Sequence, residues 1–386
     1  MPRTLLGKKV AVQKIVFEAA ALADTLKKAN RIAPTKGRNL ESYAGFMLEV
    51  NPADMEIVLR STDGGVFYME WITPLEIDAE APFNWRIPSA VTTSIINAMP
   101  QGAGSRVTFT RDGGKIAITS KRTRASIRLI PEDNYPLWET FDPDAVSAVQ
   151  NLGARLDQVA WAVSKKDVET VSGVYMDGEN IIATNKQRLA VAPFAMPISA
   201  PVVVPMAVLA PVIGEMREMR AGIVGNYLCL LPNDYTQIKC ILMADDFPDV
   251  SRVMTKETTD TIIFNREIVV ALIQRIMTVG SKDRQSYLDL TIGNEEMILF
   301  TQDEGADETI EDAIELTGMA LHEPVRIRVG PENFMYAISK APGMMIAMNY
   351  DHTKPLGFIR FEAESDYRVW IPPRRQVVND PQGAAS

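Results

Sequence analysis

A strand-like apolar run ending in threonine and then an amide or carboxylate occurs three times in this chain. The copies are Val58-Leu59-Arg60-Ser61-Thr62-Asp63, Ile181-Ile182-Ala183-Thr184-Asn185 and Ile298-Leu299-Phe300-Thr301-Gln302, with threonines 122 and 117 residues apart. Internal repetition constrains architecture more than any single motif, because each unit must bury the same pattern of apolar faces. A second signature recurs in step: Trp85-Arg86-Ile87-Pro88 before Ser89 to Met99, Val202-Val203-Val204-Pro205 before Met206 to Met219, and Ile327-Arg328-Val329-Gly330-Pro331 before Glu332 to Lys340. Proline suits the first turn of a helix, so each reads as a strand running into a helix.

Each unit also opens with an amphipathic pattern: Leu22, Leu26 and Ala29; Leu152, Leu156, Val159 and Val163; Ile268, Leu272 and Ile276, with Thr278 near its end. Alternating runs such as Arg106 to Thr110, Lys115 to Thr119 and Thr236 to Leu242 read as later strands, with Asp112-Gly113-Gly114 a hairpin turn. Two units close on an aromatic-proline corner, Tyr135-Pro136 and Phe247-Pro248, 112 residues apart. The period predicts domains at 14–139, 140–256 and 257–376, with a polar tail at 377–386. The fold class is α+β, each unit holding two helices against antiparallel sheet.

Composition removes most catalytic readings. Of 386 residues, 46% are hydrophobic and only two are histidine, His322 and His352, which leaves little for histidine-based acid–base or metal chemistry. His322-Glu323 begins like a zinc-protease helix, but Arg326 stands where the second histidine belongs. Neither a Walker-type phosphate loop nor a complete Gly-x-Gly-x-x-Gly is present, and no Ser-His-Asp or Cys-His set can be argued. The carboxylates Asp245, Asp246 and Asp249, and the run from Asp303 to Glu315, lack calcium-loop spacing. The expectation is therefore no catalytic residue, no metal and no cofactor; a hydrolase using the 303–315 carboxylates is the enzymatic alternative, and a scaffold with no nucleic-acid role the other. Cys229 and Cys240 flank a turn-like Pro232-Asn233-Asp234-Tyr235 and read as reduced, buried thiols. No membrane-length apolar run and no signal peptide are visible, which predicts a cytoplasmic protein without a membrane partner.

The repeat, the Ala183-Thr184-Asn185-Lys186-Gln187-Arg188-Leu189-Ala190 turn, the Asp246-Phe247-Pro248-Asp249 corner and the ending Tyr367-Arg368-Val369-Trp370-Ile371-Pro372-Pro373-Arg374 resemble the bacterial sliding clamps, the β subunits of DNA polymerase III. The resemblance implies a head-to-tail homodimer ring, lined by helices, that encircles duplex DNA without reading sequence. It also implies as partners the replicative polymerase, a clamp loader and other proteins with clamp-binding peptides. Asn185-Lys186-Gln187 stands where members usually show Asp-Gly-His, and Trp370-Ile371-Pro372-Pro373 where a methionine-flanked proline is usual.

Net charge is −9, yet the six helical patterns, taken as Glu18 to Arg31, Ser89 to Met99, Ser147 to Lys166, Pro205 to Arg220, Asn265 to Arg284 and Pro331 to Ala341, carry 13 basic and 8 acidic residues against 27 and 41 elsewhere. That partition suits a ring whose inner face meets phosphates. The expected DNA-contacting residues are Lys27, Lys28, Arg31, Lys36, Arg38, Lys165, Lys166, Arg217, Arg220, Arg275, Lys282, Arg284 and Lys340. By resemblance, a partner-peptide pocket falls on Tyr175, Thr184, Arg188, Leu189, Pro248, Val253, Val369, Ile371, Pro372 and Pro373. A dimer interface falls on Ala125 and Ile127 of an edge strand and on Ile276 and Met277 at a helix tip.

Overall fold

The computed structural model describes residues 13–33, 41–165, 170–211, 218–244, 246–278, 287–293, 295–302, 309–354 and 357–374. The first repeat runs β1 (Lys14–Glu18), α1 (Ala19–Asn30), β2 (Phe46–Asn51), β3 (Glu56–Thr62), β4 (Val66–Ile72), β5 (Glu76–Asp78), β6 (Phe83–Ile87), α2 (Ser89–Asn97), β7 (Arg106–Asp112), β8 (Lys115–Ser120) and β9 (Thr123–Arg128). The second runs β10 (Ser147–Gln150), α3 (Leu152–Val159), β11 (Gly173–Met176), β12 (Asn180–Thr184), β13 (Leu189–Pro193), β14 (Val202–Pro205), α4 (Met206–Leu209), β15 (Glu218–Val224), β16 (Tyr227–Asn233), β17 (Thr236–Ile241) and α5 (Ser251–Met254). The third runs β18 (Asp260–Asn265), α6 (Arg266–Ile276), β19 (Leu288–Ile292), β20 (Glu296–Gln302), β21 (Thr309–Glu315), β22 (Gly318–Ala320), β23 (Val325–Val329), α7 (Pro331–Ser339), β24 (Met345–Tyr350), β25 (Ile359–Glu362) and β26 (Arg368–Ile371).

Each repeat divides its strands between two sheets. The four sheets have the orders β5-β1-β7-β8-β9, β10-β15-β16-β17-β4-β3-β2-β6, β14-β11-β12-β13-β26-β25-β24-β18-β22 and β21-β20-β19-β23. Two compact units result, Met1–Gln150 with Val208–Leu242, and Asn151–Ala207 with Met243–Ser386. The first unit holds the five- and eight-stranded sheets, the second the nine- and four-stranded ones. Inside the first, β17 joins β4 antiparallel with Gln237 opposite Met69; inside the second, β13 joins β26 with Leu189 opposite Trp370.

The recurring threonine is explained at atomic scale. Thr62 donates its hydroxyl to the Val66 carbonyl at 2.6 Å and accepts the Gly64 N–H at 3.0 Å, while Asp63 Oδ1 accepts the N–H groups of Gly65 and Val66, both at 2.8 Å. The second copy repeats this bond for bond: Thr184 donates to the Arg188 carbonyl at 2.6 Å and accepts the Lys186 N–H at 3.1 Å, and Asn185 Oδ1 accepts the N–H groups of Gln187 and Arg188 at 3.0 Å. Threonine followed by Asx satisfies four backbone groups that a tight hairpin would otherwise leave open. The turn also needs a left-handed residue, Gly64 (φ 91°) in one copy and Lys186 (φ 70°) in the other. Thr301, the penultimate residue of β20, donates to the Tyr287 carbonyl instead.

The helices bury the stripes that periodicity requires. Leu22, Leu26 and Ala29 of α1 are buried, and Glu18 caps the helix by accepting the Ala21 N–H at 2.8 Å. Three expectations need correcting. The stretch Ser147 to Lys166 is not one helix: Asn151 adopts φ 60°, so Ser147–Gln150 becomes β10 and the helix starts at Leu152. The helix from Met206 ends at Leu209, and Glu218, Met219 and Arg220 belong to β15. On α6 the buried stripe is Val269, Leu272, Ile273 and Ile276, leaving Ile268 on the surface. Both cysteines are free and buried on the β16–β17 hairpin.

Candidate functional site

The β12–β13 turn faces a segment built on the second aromatic-proline corner. There Asp249 Oδ1 accepts the Ser251 N–H at 2.9 Å and starts the one-turn helix α5; the bonds from Ser251 hold the Asp249 carboxyl below its usual range. Between turn and segment lies a cavity of about 200 Å³ lined by Thr184, Lys186, Gln187, Arg188, Leu189, Pro248, Asp249, Val250, Val253 and Phe358. Its apolar wall belongs to a cluster of Ile182, Leu189, Val191 and Trp370, against which Tyr175, Phe247, Val250, Val253, Met254 and Phe358 pack. Tyr175 stacks on Phe247 with ring centroids 5.0 Å apart. A second cavity, of about 630 Å³ and more polar at its rim, shares Phe358 and is lined also by Trp370, Lys256 and Arg360.

Arg188 is the half-buried cation of this site, beside exposed Lys186 and the Asp249 carboxylate. Its Nη1 donates to Asn333 Oδ1 at 2.7 Å, and its guanidinium lies 5.0 Å over the Trp161 ring, which stacks on Tyr336. Burial lowers its pKa, and its buried Nε has no acceptor among the described residues. A small apolar hollow edged by a few polar groups is the geometry that takes the apolar anchors of a short peptide.

The first repeat explains why the hollow exists. The repeat offsets place Phe67 at the position of Leu189 and Trp138 at that of Val250. In the first repeat these two rings touch edge to face at 5.2 Å, Arg60 covers Trp138 at 5.2 Å, and Arg60 Nη1 donates to the Trp138 carbonyl. Leucine and valine at the second seam fill less volume, so the same backbone leaves space there.

No family model matches the chain. The DNA polymerase III beta subunit from Thermotoga maritima superposes with a TM-score of 0.82 at 18% identity, covering 94% of this chain and 100% of that one. The DNA polymerase sliding clamp from Bacillus subtilis gives 0.83 at 15% identity, covering 94% and 99%. This chain has the β sliding clamp fold. Among curated clamps, that of Caulobacter vibrioides (strain NA1000 / CB15N) is 20% identical over 298 residues, 71% of this chain and 77% of its own length. The clamp of Micrococcus luteus is 30% identical over 122 residues, 30% of this chain and 38% of that one. A Pseudomonas aeruginosa sliding clamp bound to griselimycin superposes with a TM-score of 0.81 at 15% identity, over 94% and 100% of the two chains.

Within the clamp fold the expected pocket residues separate into three groups. Thr184, Arg188, Leu189, Pro248 and Val253 line the cavity, and Tyr175 packs beneath it. Val369 and Ile371 do not: both are fully buried, because strand side chains alternate and Trp370, opposite Leu189, joins the cluster behind the cavity and lines the second, larger one. Pro372 and Pro373 follow β26, half-buried, and do not line the cavity. Lys186, Gln187, Asp249, Val250 and Phe358 were missed, although the first two lie in the repeated turn and counting strand parity would have recovered Trp370.

Of the expected DNA contacts, Lys36, Arg38, Lys166, Arg217, Lys282 and Arg284 lie outside the described residues. Lys27 and Arg31 are exposed on and just after α1, and Lys165 is exposed after α3. Lys28 pairs with Asp24 at 2.6 Å, Arg275 with Asp312 at 3.2 Å, and Lys340 Nζ reaches both oxygens of Asp157 at 2.7 and 2.8 Å. Arg220 lies on β15 rather than on a helix and pairs with Asp234 at 3.1 Å. For the interface expectation, β9 is an edge strand with Ala125 half-buried and Ile127 turned inward. Ile276 is core at 1% exposure, whereas Met277 is 40% exposed.

Proposed function

We propose that this chain is a DNA polymerase processivity factor: a ring of two copies, closed head to tail, that encircles duplex DNA, slides without sequence specificity and catalyses no reaction. The observation that carries the reading is a clamp fold extending over 94% of the chain with a cavity between the β12–β13 turn and the segment from Pro248 to Val253. The ring is built from the domains 14–139, 140–256 and 257–376, each giving strands to two sheets, with 377–386 as a polar tail. In the cavity it holds short peptides of the replicative polymerase and of other DNA-processing proteins; a clamp loader opens it, and it works in the cytoplasm. Tethering raises the polymerase's effective concentration at the primer end without strengthening any chemical step.

Two edges support ring closure. β9 presents Arg124 and Arg128 to solvent, and β21, at the edge of the four-stranded sheet, presents Glu311 and Glu315. Unpaired edges of opposite charge are suited to pairing between copies. Met277 adds an exposed apolar side chain at the end of α6. Lys27, Arg31 and Lys165 supply exposed cations for phosphate contact.

Small-angle scattering with the mass taken on the same sample tests the reading. A mass near twice 42.7 kDa and a hollow distance distribution are expected. Protein bound to a nicked circle should then resist a high-salt wash and be released when the circle is linearised. A compact monomer, or release unaffected by linearisation, would overturn the proposal.

A further inference from the structure

The chain has only two histidines, 30 residues apart, and the fold brings both onto one carboxylate. Asp260 opens β18, which lies between β22 and β24; His322 follows β22 and His352 follows β24, so all three gather at one end of the nine-stranded sheet. His352 Nδ1 is 2.8 Å from Asp260 Oδ2 and His322 Nδ1 is 3.1 Å from Oδ1, with the imidazoles stacked at 4.3 Å. The Asp260 side chain is fully buried, and among the described residues no lysine or arginine forms an ion pair with it. Its basic partners among the described residues are the two imidazoles, so no permanently charged side chain offsets the buried carboxylate.

We propose that Asp260, His322 and His352 form a binding site for a divalent transition ion of the zinc class, seated between the two Nδ1 atoms and the carboxylate. Imidazole nitrogen with carboxylate oxygen is the donor set such ions take, and two histidines with one carboxylate leave a fourth position for water or a further ligand. Ligands of a tetrahedral zinc ion lie about 3.3 to 3.5 Å from one another. The three ligand atoms already lie within 4.8 Å of each other, and the nitrogen–oxygen separations of 3.1 and 2.8 Å need to open by about 0.2 to 0.7 Å.

The supporting shell is also in place. Asp260 Oδ1 accepts the His322 backbone N–H at 2.6 Å, and Oδ2 accepts the Thr259 hydroxyl at 2.6 Å. Each oxygen is thus held by a hydrogen bond that metal binding need not break, the arrangement that orients metal-ligating carboxylates. A neutral imidazole that binds the ion through Nδ1 carries its single proton on Nε2, so metal binding fixes the tautomer of each histidine by proton exchange with solvent, with no net proton released and no electron transferred. The ion would fasten the segments after β22 and β24 to the start of β18, in a part of the molecule that clamp activity as read above does not use.

The test uses the full-length chain without an affinity tag, stripped with chelator. Cobalt(II) is titrated while visible absorption is recorded, and zinc is then added in competition. One cobalt per chain, with the intense bands of four-coordinate geometry and displacement by zinc, is expected. In His322→Ala the affinity should fall at least tenfold; that side chain is 58% exposed, so circular dichroism should be unchanged. His352→Gln should lose the bands as well. No stoichiometric uptake, or weak six-coordinate absorption equal in wild type and His322→Ala, would overturn the site and leave the clamp proposal untouched.

Discussion

Leu189 and Val250 line the proposed ligand cavity, whereas the rings of Phe67 and Trp138 touch each other at the equivalent positions of the first repeat. Val250→Trp should therefore fill the cavity and weaken ligand binding at least tenfold with little change in melting temperature. Griselimycin, which a P. aeruginosa sliding clamp binds, serves as the calorimetric probe. Wild-type binding that survives Val250→Trp unaltered would place the ligand elsewhere. The cysteines make a separate case. Burial pushes the Cys229 thiol up to about 11 and Cys240 higher still, so neither forms appreciable thiolate near neutrality. Iodoacetamide at pH 8 should leave both unmodified in the native protein and label both after unfolding, as read by intact mass.

Turns and edges are the elements on which the fold and its assembly rest. Thr184→Val removes a donor and an acceptor from a buried turn and should cost about 1 to 3 kcal/mol, measured by urea unfolding. Thr62→Val should cost a similar amount, because the hydrogen bonds are the same. At the edges, Arg124→Glu with Arg128→Glu places like charges across the proposed β9–β21 pairing and should yield monomers by light scattering. Adding Glu311→Lys with Glu315→Lys should restore the dimer. Ile276 suits such a test poorly: truncating a core isoleucine costs about 2 to 5 kcal/mol and would confuse assembly with folding.

At the scale of the whole molecule, the proposed DNA-facing surface has to coexist with a net charge of −9. Screening confines the field of each exposed charge to about 8 to 10 Å at physiological salt, so local placement of Lys27, Arg31 and Lys165 matters more than the total. Changing these three to glutamate should shorten retention on nicked circular DNA and flatten its salt dependence, without altering the dimer's mass. Retention and salt slope equal to wild type would remove these residues from the DNA surface.

Much of this was legible in the chain itself because it is local. A threonine, an Asx residue and a left-handed position within five residues encode a turn, and a helix stripe is written at a spacing of three or four, so the threefold repeat and the α+β class could be read directly. The breaks were less readable: a left-handed Asn151 ends a pattern that periodicity alone would continue. Trp370 rather than Val369 or Ile371 packs in the cluster behind the cavity because register against β13 sets strand parity, and a shift of one residue exchanges the faces. The hollow itself depends on how Leu189 and Val250, 61 residues apart, fill a volume defined by strands from two repeats. The meeting of Asp260, His322 and His352 requires three strands side by side. The sequence by itself determined the repeat, the turns and the class of fold, since those follow from bonds among near neighbours. Only the tertiary structure decided which side chains share a cavity or a carboxylate, because packing brings together residues that no local spacing connects.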